Sequence, residues 1–257
     1  MTVIVCLEEV SVEIPLRGLR QAPSTKDPRI VRLKNGRYVL RALDRVSLEL
    51  HQGDRIGIVG GNGNGKTTLL KLIGGMLPAA SGNIQVNGSI RSLLTINAGN
   101  SMALTGLQNI RLHYTLLGIE SVSVKDYIEN VAEFAELGAF LEMPLATYSP
   151  GMLGRLQFAM NTVEPADILL LDEWLGVADQ AFQDKANHRL VEYIKKNKGF
   201  LFASHNQNLI EQMTDRKLQL VLGRVMPDSP YPDSASQSLP PPSQNRYLDK
   251  IAPFCLP

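Results

Sequence analysis

The chain has 257 residues, of which 44% are hydrophobic and 20% charged, and its formal net charge is +1. This composition suffices for a buried core, and the near-neutral charge argues against a nucleic-acid binder that depends on a strong overall basic field. The two cysteines fit no disulfide framework or metal spacing, and no segment is apolar enough to span a bilayer, so we expect a reducing compartment and a partner chain for any work at a membrane.

Extended structure is predicted over residues 3–14 and 38–50, where apolar and β-branched side chains are frequent. Between these stretches, residues 15–37 carry seven basic side chains against a single acid, Asp27, and three prolines interrupt regular structure. We therefore expect a mobile, basic insertion. One hypothesis is that it meets anionic headgroups or a lipid-linked substrate at the membrane, and a solvated loop is the alternative.

The remaining elements alternate between strand and helix, which predicts an α/β fold. Pro and Ser become frequent after residue 224, so we predict one domain at 1–224 and a flexible tail at 225–257. The predicted strands are 54–59, 83–94 (an extended pair), 168–171, 200–203 and 218–222, and the predicted helices are 66–76, most of 105–140, 151–162, 180–195 and one beginning at 206.

The first chemical signal is the glycine-rich loop at residues 60–67, Gly-Gly-Asn-Gly-Asn-Gly-Lys-Thr, between a predicted strand and a predicted helix. Its pattern is that of a phosphate-binding loop, in which backbone N–H groups turn towards phosphate oxygens and the helix N-terminus adds positive charge. Lys66 is predicted to reach the β- and γ-phosphates, and the Thr67 hydroxyl to bind Mg²⁺. A chance match is the alternative, which the flanking strand and helix disfavour. The residues of this segment that we assign to nucleotide binding are Gly60, Asn62, Gly63, Asn64, Gly65, Lys66, Thr67 and Thr68.

Two acids follow the apolar run at 168–171, which is typical of a strand buried on both faces of a parallel sheet. Ligands bind at the carboxyl edge of such a sheet. We therefore assign Asp172 to Mg²⁺ and Glu173 to the general base that polarises the attacking water. Two solvated acids at a strand end are the alternative. His205, just after the strand at 200–203, is a candidate contact to the γ-phosphate; taken alone, it would be read as structural.

A fourth motif, Tyr-Ser-Pro-Gly-Met at residues 148–152, precedes Asp172 by about 20 residues. In a chain with a phosphate loop, it resembles the signature of the ATP-binding subunits of ABC transporters, and the resemblance covers residues 3–224. The resemblance implies a P-loop ABC ATPase with a RecA-like core, an antiparallel β subdomain and an α-helical subdomain at about 100–163. In that family the signature Ser and Gly close over the nucleotide of the other subunit, which implies this role for Ser149 and Gly151 in a homodimer. For this segment alone, a capped helix start is the alternative.

Within the family, the chain most resembles exporters of polysaccharides such as O-antigen, capsule or teichoic acid. The stretches that carry this resemblance are the signature variant at 148–152, the insertion at 15–37, 104–110, 172–179 and 182–185. The resemblance implies ATP and Mg²⁺ as cofactors, an integral-membrane permease as partner and no nucleic acid. It also implies a lipid-linked polysaccharide that is handled indirectly, and a peripheral position on the cytoplasmic face of the inner membrane.

Three positions depart from the family pattern. Asn97 stands in the loop where a Gln usually faces Mg²⁺ and water, and we assign Asn97 as its substitute. The aromatic residue that usually stacks on adenine is absent at Ile14, and we predict Tyr38 as its replacement. Pro150 occupies a signature position that usually holds a small residue or Gln.

Three other functions stay open at this point. A soluble ABC-type ATPase that acts on ribosomes or DNA usually has two nucleotide domains or long coiled coils, and neither is evident. A regulatory module that binds ATP without hydrolysing it is disfavoured by Glu173 and His205. An exporter of a drug or peptide is disfavoured by the motif variants.

Overall fold

The structure is a computed structural model that describes residues 2–18, 27–93, 99–172 and 180–226. Within these ranges the chain forms two β-sheets and six α-helices, which confirms the α/β prediction. The strands are β1 Val3–Pro15, β2 Ile30–Arg32, β3 Tyr38–His51, β4 Arg55–Val59, β5 Ser81–Val86, β6 Ile90–Leu93, β7 Ile168–Asp172, β8 Gly199–Ala203, β9 Arg216–Val221 and β10 Arg224–Val225. The α-helices are α1 Lys66–Ile73, α2 Gly106–Leu117, α3 Val124–Ala135, α4 Pro150–Asn161, α5 Gln180–Lys196 and α6 Gln207–Met213, and short 3-10 turns span Gly138–Glu142 and Leu145–Thr147.

The first sheet is antiparallel and has the strand order β2-β3-β1-β5. β1 and β3 pair along most of their length, from Val3 opposite His51 to Pro15 opposite Val39. β2 corrects the prediction of an insertion without regular structure, because Ile30–Arg32 pairs with the start of β3. An edge strand of three residues tolerates a proline just before it, so the prolines of this segment were a poor guide.

The second sheet has the order β10-β9-β4-β8-β7-β6, and all its strands except β10 run parallel to their neighbours. The residues of β7 from 168 to 171 are buried, as the sequence predicted. Because β4, β8 and β7 are adjacent and parallel, their carboxyl ends meet at one edge. The register places Ala203 of β8 beside Ile58 on one side and Asp172 on the other.

The main core lies between the two sheets and contains α1. Leu69 and Leu70 of this helix are fully buried among Val10 and Leu50 of the first sheet and Ile58 of the second. Burial of each such side chain contributes about 1.5–3 kcal/mol. The helix that follows the glycine-rich loop is therefore firmly anchored in the core. The other face of the parallel sheet is covered by apolar side chains of α5 and α6.

A separate apolar cluster joins α2, α3 and α4 and includes two side chains of α5. α3 starts at a capping residue, because the Ser123 hydroxyl accepts from the Asp126 N–H at 3.1 Å. Tyr127 is fully buried, and its hydroxyl donates to the Met160 carbonyl at 2.8 Å. His113 lies 2.8 Å from the same hydroxyl through Nδ1. Burial, helped by the charge of Arg91, lowers the pKa of His113 to about 4.

Candidate functional site

The glycine-rich loop connects β4 to α1 at the carboxyl edge of the parallel sheet. Gly65 has a φ of 103°, and a Cβ there would lie 2.7 Å from the Ala42 carbonyl oxygen, so this position requires glycine. α1 starts directly after Gly65, and no side chain of the described residues caps it. Its first N–H groups therefore stay available to an anion, with the partial positive charge of the helix N-terminus behind them.

Asn64 fastens this loop to the turn that follows β9. Its Oδ1 accepts from the Leu222 N–H at 3.2 Å, and its carbonyl accepts from the Gly223 N–H at 3.0 Å. The side-chain oxygen of Asn64 is thus engaged within the protein. Asn62, Gly63 and Thr68, which the sequence also assigned to nucleotide binding, line the cleft described below.

Lys66 is only 7% exposed, and its Nζ donates to the carbonyls of Gly60 at 2.7 Å and Gly61 at 3.1 Å. A buried ammonium group needs such acceptors, because its desolvation is otherwise costly. The ammonium group is held inside the curve of the loop, next to the helix N-terminus. A phosphate at that N-terminus would therefore find this positive charge beside it.

Thr67 and Asp172 come together from elements that are 105 residues apart in sequence. The Thr67 hydroxyl donates to Asp172 Oδ2 at 2.5 Å, at the point where α1 begins and β7 ends. A hydroxyl and a carboxylate suit Mg²⁺, which takes one or two protein oxygens and completes its shell with phosphates and water. In the described part of the chain, no three His, Cys, Asp or Glu side chains could hold an ion by themselves.

Of the other predicted catalytic and metal-binding residues, only His205 lies within the described part of the chain. His205 is exposed and follows β8 by two residues, at the sheet edge where Asp172 also lies. The neighbouring Ser204 hydroxyl accepts from the Asn206 N–H at 3.1 Å, which shapes the turn into α6. Glu173 and Asn97 lie outside the described residues.

A cleft of about 540 Å³ lies in front of the loop. Its lining residues are Ile14, Arg29, Leu40, Ala42, Asn62, Gly63, Gly65, Lys66, Thr67, Thr68 and Asp172. The cleft therefore extends from the glycine-rich loop to an aliphatic wall supplied by β1 and β3. Tyr38 is not among the residues that line it, and the Tyr38 ring instead has the Arg32 guanidinium 6.0 Å from its centroid. The cleft gives no support to the prediction that Tyr38 stacks on adenine.

Arg29 is a lining residue that the sequence did not single out. Its guanidinium donates to both carboxylate oxygens of Asp27 and, through Nη1, to the Gly63 carbonyl of the loop. These hydrogen bonds lower the pKa of Asp27 to about 2. The sequence feature that could have indicated an ion pair here is Asp27, the single acid among seven basic residues of the segment 15–37, because a lone carboxylate attracts a neighbouring basic side chain.

The Tyr-Ser-Pro-Gly-Met segment forms the start of α4. Tyr148 is buried and its hydroxyl donates to the Phe140 carbonyl at 2.6 Å, whereas Ser149 is exposed. The Ser149 hydroxyl accepts from the Met152 N–H at 3.2 Å as the helix cap. Pro150 is the first residue of the helix, where a missing N–H costs no helical hydrogen bond. The departure at this position is therefore compatible with an intact signature helix.

Comparison with known proteins gives a consistent result. Residues 43–176 match the family model described as ABC transporter. The O-antigen export system ATP-binding protein RfbE of Yersinia enterocolitica is 43% identical over 188 residues, which are 73% of this chain and 79% of that protein. The teichoic acids export ATP-binding protein TagH of Staphylococcus haemolyticus is 42% identical over 181 residues, 70% of this chain and 67% of that protein. The TagH protein of Enterococcus faecalis is longer, and 39% of its length matches at 39% identity.

Solved structures share the fold. The dimeric cassette MJ0796 bound to ADP and Pi is 19% identical and superimposes with a TM-score of 0.64, covering 86% of this chain and 96% of that one. A second dimeric structure of MJ0796, described as a bacterial ABC transporter cassette, gives a TM-score of 0.65 at 20% identity. These similarities confirm the predicted ABC ATPase fold.

The chain belongs to the ABC transporter family. Within it, the chain is a nucleotide-binding ATPase subunit, and among the described residues no helix combines the length and the apolar character that crossing a bilayer requires.

Proposed function

We propose that this chain hydrolyses ATP to drive export of a lipid-linked, O-antigen-like polysaccharide through a partner integral-membrane permease. The hydrolytic part rests on the 2.5 Å contact between Thr67 and Asp172, which joins the phosphate loop to the catalytic edge of the sheet. The cargo is supported by the 42–43% identity to proteins named for export of O-antigen and teichoic acids. The chain would then act on the cytoplasmic face of the inner membrane as a peripheral subunit.

The phosphates bind where α1 begins. The uncapped N–H groups of that helix and the glycine-rich loop receive the phosphate oxygens, and the Lys66 ammonium moves from the loop carbonyls to the β- and γ-phosphates. Thr67, Asp172 and Asn97 would hold Mg²⁺. The ion would neutralise charge that develops on the phosphate oxygens.

Glu173 is proposed as the general base, because it directly follows Asp172 at the end of β7. A carboxylate in that position would accept a proton from the water that attacks the γ-phosphate. His205 is proposed to donate a hydrogen bond to the γ-phosphate from the adjacent strand. The exposed position of its side chain at the same sheet edge supports this role.

The complete site is proposed to need a second copy of the chain. Ser149 and Gly151 do not line the chain's own cleft as the structure describes it. In a head-to-tail homodimer they would close over the nucleotide that Lys66 of the other subunit holds. We further propose that residues 1–224 form the nucleotide-binding domain, with its helical part at about 100–163, and that 225–257 form a tail.

Glu173→Gln tests the hydrolytic step. The variant is expected to retain ATP binding and to lose at least a hundredfold in phosphate release, because a general base typically contributes about 10²–10⁴-fold. Glu129→Gln is the matched control, since Glu129 is an exposed carboxylate of α3. Turnover at the wild-type rate in Glu173→Gln would refute the assignment of the base.

The cargo is tested in the source organism. Replacing the gene by the Glu173→Gln allele should deplete the glycan from the cell surface and accumulate its lipid-linked form inside, measured by extraction and immunoblotting of both fractions. Copurification of the chain with a multi-span membrane protein is the expected biochemical result. Copurification with RNA, together with an unchanged surface glycan, would instead favour a soluble ABC-type ATPase.

A further inference from the structure

The cleft in front of the phosphate loop has two chemically different ends. The loop end offers amide groups and Lys66, whereas the far end is walled by Ile14, Leu40 and Ala42. A nucleotide with its phosphates on the loop must direct its base towards the aliphatic wall. None of the described lining residues is aromatic, so the flat face of a base has no ring to stack on.

Arg29 supplies a flat group to this cleft. Its Nε donates to Asp27 Oδ1 at 3.0 Å and its Nη2 to Asp27 Oδ2 at 2.6 Å, so one edge of the guanidinium is fully engaged. Nη1 donates to the Gly63 carbonyl, which ties the group to the phosphate loop. The Arg29 side chain is 17% exposed, so it is largely packed into the protein.

These contacts decide what Arg29 can offer a ligand. The Asp27 carboxylate, whose pKa is held at about 2, offsets the positive charge, and most in-plane donors are already used. A triphosphate therefore gains little from this guanidinium. Because Arg29 lines the cleft, a planar face of its guanidinium is what it can offer there, and guanidinium planes stack well on aromatic rings.

We propose that Arg29 is the residue that stacks on the nucleotide base, and that Asp27 is the positioning residue that holds the guanidinium in plane. This inference rests on the proposed nucleotide site and adds its base-recognition element. The aliphatic wall and the guanidinium would together enclose the base.

Two probes separate stacking from phosphate binding. ATP carries a base and tripolyphosphate does not, so their dissociation constants are compared by calorimetry in EDTA, which prevents turnover. Arg29→Ala is expected to weaken ATP binding by about 3- to 30-fold and to leave tripolyphosphate binding unchanged. Arg29→Lys should behave like Arg29→Ala, because an ammonium group keeps the charge without the plane.

Asp27→Asn gives an effect of opposite sign on the two probes. Without the Asp27 carboxylate, the Arg29 guanidinium is no longer held in its plane, so ATP binding should weaken. Its positive charge is also no longer offset, so tripolyphosphate binding should strengthen. A purely structural role for Asp27 would weaken both. Arg37→Ala is the matched control, since Arg37 is an exposed arginine of the same segment that does not line the cleft. Its two affinities should equal those of the wild type, and thermal melting checks the fold of every variant.

Equal losses for ATP and tripolyphosphate in Arg29→Ala would make Arg29 a phosphate contact and overturn the proposal. An unchanged ATP affinity would also overturn it, and a loss confined to Tyr38→Ala would assign the stacking role to Tyr38. If the wild type binds neither probe, and Lys66→Ala behaves identically, then the nucleotide site itself is wrong. That outcome is distinct from a wild type that binds both probes and is insensitive to Arg29.

Discussion

Two helices of this chain begin at segments assigned to nucleotide binding, and they begin in opposite ways. α1 follows Gly65, a residue in the left-handed region, and no side chain of the described part of the chain caps it. α4 follows Ser149, whose hydroxyl accepts a hydrogen bond from the Met152 N–H at 3.2 Å. The first helix is packed between two sheets, whereas the second belongs to the helical cluster.

The uncapped start of α1 and the serine-capped start of α4 would bind a phosphate in two different ways. In the proposed site, a phosphate at α1 would meet the Lys66 ammonium and backbone groups whose arrangement depends on the path of the loop. At α4 it would meet a side chain that also stabilises its own helix, because a hydroxyl has one donor and two acceptor positions and can use both at once. A change of a loop glycine at α1 should therefore act through altered backbone shape, and a change of Ser149 at α4 through the loss of one group.

The largest expected effect is at Gly65. Gly65→Ala places a Cβ 2.7 Å from the Ala42 carbonyl oxygen at a φ of 103°, so we expect a loss of about 3 kcal/mol in the free energy of unfolding, together with loss of ATP binding. Urea denaturation and calorimetry measure both. Gly75→Ala is the control, because its φ of 71° carries similar strain and no atom lies within 4 Å of the added Cβ. Equal free energies of unfolding for the two variants would show that the close approach at Gly65 contributes nothing to the loss of stability.

His113 contacts Tyr127 in the apolar cluster of α2, α3 and α4, and it should make the free energy of unfolding fall at acidic pH. Its pKa is lowered to about 4 from 6.5, so the unfolded chain binds the proton more readily between these values. The stabilisation is present above pH 6.5 and is lost as the pH falls towards 4, which we expect to cost about 2 kcal/mol. Urea titrations at pH 7.0 and 4.5 should show a smaller drop for His113→Gln than for the wild type. His188→Gln, at an exposed position of α5, should keep the wild-type drop; identical drops in all three proteins would contradict the assignment.

The smallest effect on stability is expected at Ser149, and here a matched pair exists. Ser149 and Ser123 both cap a helix, by accepting from the N–H groups of Met152 and Asp126. Ser149→Ala and Ser123→Ala should each lose about 1 kcal/mol in the free energy of unfolding. Only Ser149→Ala should also reduce ATP turnover and nucleotide-dependent dimerisation, measured by phosphate release and light scattering. Equal turnover in both variants would reduce the signature serine to a helix cap.

The sequence predicted the elements whose signals are local. The apolar run at 168–171 predicted a strand buried on both faces. The glycine-rich loop at 60–67 predicted both the strand before it and the helix after it. Thr67 and Asp172, each assigned to Mg²⁺ from the sequence, lie in contact because parallel strands bring their carboxyl ends to one edge of the sheet.

What the sequence did not predict depends on contacts between distant segments. β2 has three residues, and its two strand-forming side chains, Ile30 and Val31, are too short a run to stand out from the basic, proline-containing segment around them. Arg29 reaches Gly63 across 34 residues, and a charge pattern cannot specify such a pairing. Tyr38, predicted to stack on adenine, does not line the cleft, whereas Leu40, two residues further along β3, does line it; the role of Tyr38 stays a prediction.

Pro150 has a consequence for how the signature helix can grip a ligand. The first residue of α4 has no N–H, and the N–H of Met152 is already bonded to Ser149. In the described structure this leaves Gly151 with the one unbonded backbone donor of that first turn. In the proposed dimer, an oxygen atom of the nucleotide held by the other copy would meet one main-chain N–H and one rotatable hydroxyl here. So few donors would leave little tolerance for a lateral shift between the two copies.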